Sequence, residues 1–290
     1  MNPARDRVSA PQPILSQIKQ AMAIRAPAMI VTIYGDVVVP RGGVLWMGTL
    51  VETCAGLGLG ESLVRTAVSR LVSAGQLVGE REGRRSYYRL AESARQDFAE
   101  AAHLLFGPRP ERRGWTIRYM PQQADPPRMA AMVQIGPDLY LAPGPAAEPG
   151  PGLIFGAELL AGAAQMPEWA ERLWRLEDYA QGYRRMIALF SPLDEALAQG
   201  RALSGTEALA ARLLLVHSYR AVLLRDPRLP PEALPHDWPA DEARALFRRL
   251  YLALSGQADS RIGARMEGWN GLLPRETPET RARLESLSSH

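Results

Sequence analysis

Six side chains on one face of a short helix carry the strongest chemical signal in this chain. From Gly60 to Leu90 the sequence reads GESLVRTAVSRLVSAGQLVGEREGRRSYYRL. Leu63, Val64, Ala67, Val68, Leu71 and Val72 recur at helical spacing and predict one buried stripe between Ser62 and Ser73. The opposite face carries Ser62, Arg65, Thr66, Ser69, Arg70 and Ser73, with no acid between them. Guanidiniums pair with phosphate oxygens or a guanine edge, and hydroxyls donate to phosphates, so such a face suits a polyanion. Gly75 follows where a left-handed helix cap is expected. Leu77–Glu80 and Ser86–Leu90 then read as paired strands around Arg81-Glu82-Gly83-Arg84-Arg85.

A helix followed by a basic hairpin is the core of a winged helix-turn-helix. In that arrangement the helix enters the major groove of double-stranded DNA and the hairpin reaches the phosphates. The expected contacts are Ser62, Arg65, Thr66, Ser69 and Arg70 on the helix, and Arg81, Arg84, Arg85 and Tyr87 on the hairpin. Strand alternation places Tyr88 inward and Tyr87 outward. The plain alternative is a buried amphipathic helix followed by a solvated hairpin.

The elements that must hold this face are read from the rest of the chain. At 290 residues there is room for two or three domains, and 47% hydrophobic with 22% charged residues is a globular composition. The net charge of +3 says little by itself, because Lys19 is the only lysine and arginine supplies nearly all the positive charge. Its local concentration says more: six arginines (65, 70, 81, 84, 85 and 89) stand against Glu61, Glu80 and Glu82 within one motif. Cys54 is the only cysteine, which excludes an intrachain disulfide and fits the cytoplasm. No apolar run is long enough to span a bilayer, and no signal peptide is expected.

Three domains are expected, over 14–108, 111–162 and 166–270. Ile14–Ile24 reads as a lead-in helix, Ala28–Val39 as a first core helix despite its β-branched residues, and Trp46–Cys54 as a second. Gly56-Leu57-Gly58-Leu59-Gly60 makes the turn before the arginine helix and lacks the strand and Lys-Ser/Thr of a phosphate loop. A small β-rich segment follows: Trp115–Met120, a hairpin about Gly136-Pro137-Asp138, and a strand within Gly152–Leu160. From Met166 the chain is helical, and beyond Gly256 it turns polar and reads as a frayed extension.

Enzymatic signals are weak. His103, His217, His236 and His290 lack metal-ligand spacing, Cys54 sits on a core helix, and neither GxSxG nor HExxH occurs. No metal and no cofactor are expected.

The sequence resembles the PaaX-type repressors of bacterial phenylacetate degradation genes. The resemblance runs through IVTIYGDVVVPRGG (Ile30–Gly43), LVRTAVSRL (Leu63–Leu71), REGRRSYYRL (Arg81–Leu90), HSYR (His217–Arg220), RDPRLP (Arg225–Pro230) and HDWP (His236–Pro239). It implies an α+β multidomain protein: an N-terminal winged helix-turn-helix, a small ferredoxin-like middle domain similar to Cas2, and an all-helical C-terminal domain. It also implies repression of a catabolic operon, relieved by an acyl-CoA thioester such as phenylacetyl-CoA. The middle domain departs from the pattern, because the proline-rich Pro121–Met129 and Pro143–Pro151 leave no room for its two helices. A sheet face stripped of its helices must be buried by other helices or by a second subunit. A homodimer is expected, since one reading helix spans too few base pairs for an operator. An anionic thioester needs arginines beside an aromatic pocket, which directs attention to Tyr183, Arg184 and Arg185, and to His217, Tyr219 and Arg220. Two other readings stay open. One is an enzyme acting on nucleic acid through the Cas2-like domain; the other is a DNA-bound regulator with a different effector or none.

Overall fold

The computed structural model describes residues 11–108, 113–121, 131–145 and 152–289. It is a mixed helical and antiparallel-strand protein that divides into two compact units. One unit comprises Met1–Pro108, Met186–Arg220 and Glu242–His290; the other comprises Arg109–Arg185 and Ala221–Asp241. The stretch expected as a separate helical domain, 166–270, is shared between the two.

In the first unit, helix α1 (Pro11–Ala21) precedes α2 (Ala26–Ile33), which runs on through a π-helical turn at Tyr34–Val38 and a 3₁₀ turn at Val39–Arg41. The β-branched Ala28–Val39 stretch is therefore helical, as its i, i+4 spacing predicts. Met29, Ile30, Ile33, Tyr34, Val37 and Val38 are fully buried. Gly42 (φ 96°) and Gly43 (φ 76°) end the run in the left-handed region. Val44–Trp46 forms strand β1, which corrects the expected helix start at Trp46: the segment pairs with a later strand, Trp46 opposite Tyr87. Helices α3 (Met47–Gly56) and α4 (Glu61–Ser73) flank the glycine turn, where Leu57 and Leu59 anchor in the core and Gly58 takes φ 87°. Strands β2 (Leu77–Glu82) and β3 (Arg85–Leu90) form the expected hairpin, and the sheet order is β1-β3-β2. Helix α5 (Arg95–Phe106) closes this part of the chain.

In the second unit, β4 (Trp115–Tyr119), β5 (Val133–Gly136), β6 (Leu139–Pro143) and β7 (Leu153–Ala157) form an antiparallel sheet of order β5-β6-β4-β7. The hairpin signal at Gly136-Pro137-Asp138 is the β5–β6 turn, with Asp138 at φ 57°. Helix α6 (Met166–Trp174) lays Met166, Ala170 and Trp174 against Trp115 and Leu141, joined by Leu229 and Ala233. This side of the sheet thus has a cover. The same side continues over Tyr119, Leu139, Leu153 and Phe155, which are exposed. The helix gaps expected at Pro121–Met129 and Pro143–Pro151 fall largely outside the described residues.

Helices α7 (Leu176–Ala198) and α8 (Gly205–Leu223) each run from one unit into the other, and α9 (Ala240–Arg265) follows. The polar C-terminal stretch is not frayed. Helix α9 extends eleven residues past Leu254, to Arg265, because Ala258 and Ile262 remain buried on its inner face. A short hairpin, β8 (Glu267–Gly268) and β9 (Gly271–Leu272), lies next, with β8 against β1. Helix α10 (Pro278–Ser288) then begins with a reciprocal capping box between Thr277 and Thr280 and buries Leu287.

Four charges tie the two ends of the first unit together. Asp36, in the π turn, accepts from Arg212 Nε at 3.0 Å and from the Tyr251 hydroxyl at 2.8 Å. Asp259 Oδ1 accepts from Arg212 Nη1 at 2.7 Å and Arg41 Nη2 at 2.6 Å. Arg41 also donates to the carbonyls of Pro274 and Val37. Two cations and two anions balance. That balance is what lets Arg212, 1% exposed, stay charged in the core.

Candidate nucleic-acid interface

Helix α4 buries Val64, Ala67, Val68 and Leu71 and packs against α2 and α3. Burying each Val or Leu contributes about 1.5–3 kcal/mol, enough to fix which face looks outward. Ser62, Arg65, Thr66, Ser69 and Arg70 are all exposed. The expected apolar stripe is narrower than its sequence suggests: Leu63 is 53% exposed and Val72 38%. Both lie at the margins of the stripe, so Leu63 joins the polar face as an apolar contact.

The face also has an acid at its start. Glu61 is the first residue of α4, and its Oε1 accepts from both Nε (2.8 Å) and Nη2 (2.7 Å) of Arg65. The run from Ser62 hides this; the i, i+4 spacing to Arg65 is the signal that gives it away. Thr66 donates to the Ser62 carbonyl at 2.9 Å, leaving its oxygen as an acceptor. Arg70 has no ion-pair partner among the described residues.

The hairpin divides its cations in the same way. Arg84 is exposed beside Gly83, the turn residue at φ 58°. Arg81 Nε donates to the Gly83 carbonyl at 3.2 Å and stays exposed. Arg85 is held: it pairs with Glu267 and lies 4.6 Å above the Trp46 ring. Arg89 pairs with Glu80 across the strands at 3.2 Å. The outward expectation for Tyr87 is corrected. Its ring is 4% exposed and meets the Trp269 ring edge-on at 4.8 Å, because the β8–β9 hairpin covers the sheet side that carries Tyr87. Glu267 and Trp269 lie some 180 residues away, and nothing local foretells them.

The six residues expected at an effector site fall into two groups. Tyr183, Arg184 and Arg185 belong to the second unit. Tyr183 is buried, donates to Asp226 Oδ2 at 2.7 Å and meets the Trp238 ring edge-on. Arg184 spans Glu177 and Asp237, and Arg185 is exposed. His217, Tyr219 and Arg220 belong to the first unit. Thr32 donates its proton to the Ala28 carbonyl, so its oxygen accepts from His217 Nδ1 at 2.9 Å. Burial, and then the charge of Arg220, pushes this imidazole down to about 4, so it is neutral. Arg220 donates to Ala28 and Thr32, and Tyr219 stacks on Phe247 at 4.5 Å. The HSYR motif is therefore a bracket joining α8 to α2. RDPRLP and HDWP supply Asp226 and Trp238 to the Tyr183 node.

Cys54 is fully buried, and burial pushes its thiol up to about 12, which leaves no thiolate for chemistry. No described helix is long and apolar enough to cross a membrane.

An exposed arginine-bearing helix beside an arginine-tipped hairpin defines a class of protein that presents cations on a rigid frame. The chain belongs to the PaaX-like protein family. The family described as PaaX-like protein matches residues 25–94, and the PaaX-like protein C-terminal domain matches 174–263. The Transcriptional repressor PaaX of Escherichia coli (strain K12) is 30% identical over 280 residues, 88% of each chain. Among solved structures, the uncharacterised protein Rv0674 from Mycobacterium tuberculosis shares 20% identity, covers 73% of this chain and 89% of its own, and gives a TM-score of 0.45.

Proposed function

We propose that this chain is a transcriptional repressor, a regulator and not an enzyme, that binds double-stranded operator DNA through a winged helix-turn-helix. Helix α4 enters the major groove and the β2–β3 hairpin, the wing, lies on the phosphates. The observation that carries this is the joint exposure of Ser62, Leu63, Thr66, Ser69 and Arg70 on α4, with Arg84 at the wing tip. Family membership and the repressor name of the Escherichia coli relative support it. Arg65 and Arg85 are reserves, released when a phosphate replaces Glu61 or Glu267.

The operon is a catabolic one, for phenylacetate or a related aromatic, and an aryl-CoA thioester such as phenylacetyl-CoA releases the repressor. Both follow from the family resemblance. The protein acts in the cytoplasm as a homodimer, reading two half-sites. The order β5-β6-β4-β7, with every neighbour antiparallel, is that of a ferredoxin-like sheet and supports the Cas2-like reading of the middle domain. The effector's seat is not taken from Tyr183, Arg184, Arg185, His217, Tyr219 and Arg220. Apart from Arg185 their polar groups have internal partners, and they belong to two units.

The test is binding of the full chain to DNA upstream of its own gene neighbourhood, with random DNA as competitor and with and without acyl-CoA thioesters. Preference for the upstream DNA, reduced about tenfold or more by Arg70→Ala, is expected. Equal binding to random DNA would end the repressor reading.

A further inference from the structure

The reading as a ligand-released repressor leaves the ligand without a seat. A groove in the first unit has the chemistry of one. Its volume is about 730 Å³, within the usual small-molecule range. Helices α5 and α10 wall it, and the π turn and the base of the wing close it. The half-buried Phe98 gives it an aromatic floor, and Phe106 lies beneath Arg283. Gly35 lies close to the Phe98 ring, where a Cβ would touch it at 3.7 Å.

The charge on its walls is one-sided. Arg89, Arg95 and Arg283 line it against the single carboxylate of Glu279. Arg283 is locked in place: its terminal nitrogens donate to the Asp36 and Gly35 carbonyls at 3.2 and 3.1 Å, and its plane lies 4.5 Å over Phe106. Those two bonds use two of its five N–H groups. Arg95 and Arg89 are held otherwise. Their partners are Glu92 at 3.0 Å and Glu80 at 3.2 Å, in solvent-exposed pairs that hold weakly. An arriving anion can draw either one inward.

We propose that this groove binds an amphipathic anion. Its flat aromatic or acyl body lies on Phe98, and its carboxylate, phosphate or sulfonate is taken by Arg95, Arg89 and Arg283. Arg89 is also a residue of β3, and its present partner Glu80 is in β2. A ligand that takes Arg89 therefore removes a cross-strand tie from the wing. That regulatory half rests on the repressor reading; the binding half does not.

Calorimetry on the full chain uses phenylacetyl-CoA, free CoA and phenylacetate, with anilinonaphthalene sulfonate fluorescence as the class probe. Ala99→Trp fills the groove from its solvent side, Arg95→Ala removes an anion contact, and Arg185→Ala serves as an outside control. Wild type and Arg185→Ala should bind at least one of these probes. Ala99→Trp and Arg95→Ala, checked for wild-type melting, should bind it about tenfold or more weakly, the usual loss for a charge-assisted hydrogen bond. Undiminished binding by both variants overturns the groove and leaves the effector reading standing. No binding of any probe by wild type overturns the groove outright. Binding that the variants weaken, with operator affinity unchanged by ligand, keeps the groove and ends the ligand-release reading.

Discussion

Arg70 and Arg65 share one helix face, yet they should not behave alike. Arg70 meets the solvent unpaired by any described residue, whereas Arg65 is chelated by Glu61. In competition binding, Arg70→Ala should lose about 1–3 kcal/mol of operator discrimination, the worth of a guanine-edge contact. Arg65→Ala should lose less, because DNA must first displace Glu61, and Glu61→Gln should strengthen binding to any sequence. Equal losses for the two arginines would show that the Glu61 pair does not survive on DNA. The β2–β3 hairpin gives a parallel contrast. Arg84→Ala should lower the salt slope of binding by about one ion, and Arg85→Ala by less. Glu267→Gln, which frees Arg85, should tighten binding up to about fivefold and steepen the salt slope. His217 offers a different handle. Its imidazole is held at about 4 in the fold, against 6.5 when free, so between those values the unfolded chain binds the extra proton. Stability should therefore fall as pH drops from about 6.5 to about 4. Urea titrations at pH 7 and pH 5 should show a smaller acid loss in His217→Gln than in wild type. Over that pH interval the difference is at most about 2 kcal/mol, at about 1.4 kcal/mol per pH unit, and less for a partly exposed ring.

At the scale of elements, what the sequence makes legible is what is local. The α4 stripe, the β2–β3 hairpin, the glycine turn and the β5–β6 hairpin each depend on neighbours within a few residues, and their periodicity announces them. Strand β1 escapes such a reading because three residues carry no period, and only their pairing with β3 makes them a strand. The inward turn of Tyr87 escapes it for a related reason: alternation tells that Tyr87 and Tyr88 point apart, not which side a distant hairpin will cover. The C-terminal stretch looks frayed in sequence because its buried residues (Ala258, Ile262, Met266, Leu273 and Leu287) are spread thinly among charged ones. Its helix α10 nevertheless has a definite start. Thr277 accepts from the Thr280 backbone N–H and donates to the Pro40 carbonyl. Thr277→Ala should cost about 1 kcal/mol in chemical denaturation, and Thr277→Ser should restore most of it. An unchanged midpoint in Thr277→Ala would mean that α10 contributes little to the fold.

The whole molecule turns on a connection that no window of sequence contains. Asp36 and Arg41 are neutralised by Arg212 and Asp259, and Phe106 packs on Phe247 and Tyr251, so the helices that support α4 share a core with the end of the chain. Arg212→Ala leaves Asp36 buried without its cation and should cost about 3–5 kcal/mol. Arg212→Met with Asp36→Leu, apolar on both sides, should recover part of that loss. If the single variant melts like wild type, the network is ornamental.

The same four charges bear on how the protein comes into being. A ribosome making this chain delivers Asp36 and Arg41 long before Arg212 and Asp259 exist. Until then the early helices hold an anion and a cation whose partners are still unmade. A chain that ends before Arg212 and Asp259 should therefore fold less stably than the full one. Premature termination should then show as a plain loss of repression and not as a dominant, unresponsive silencer.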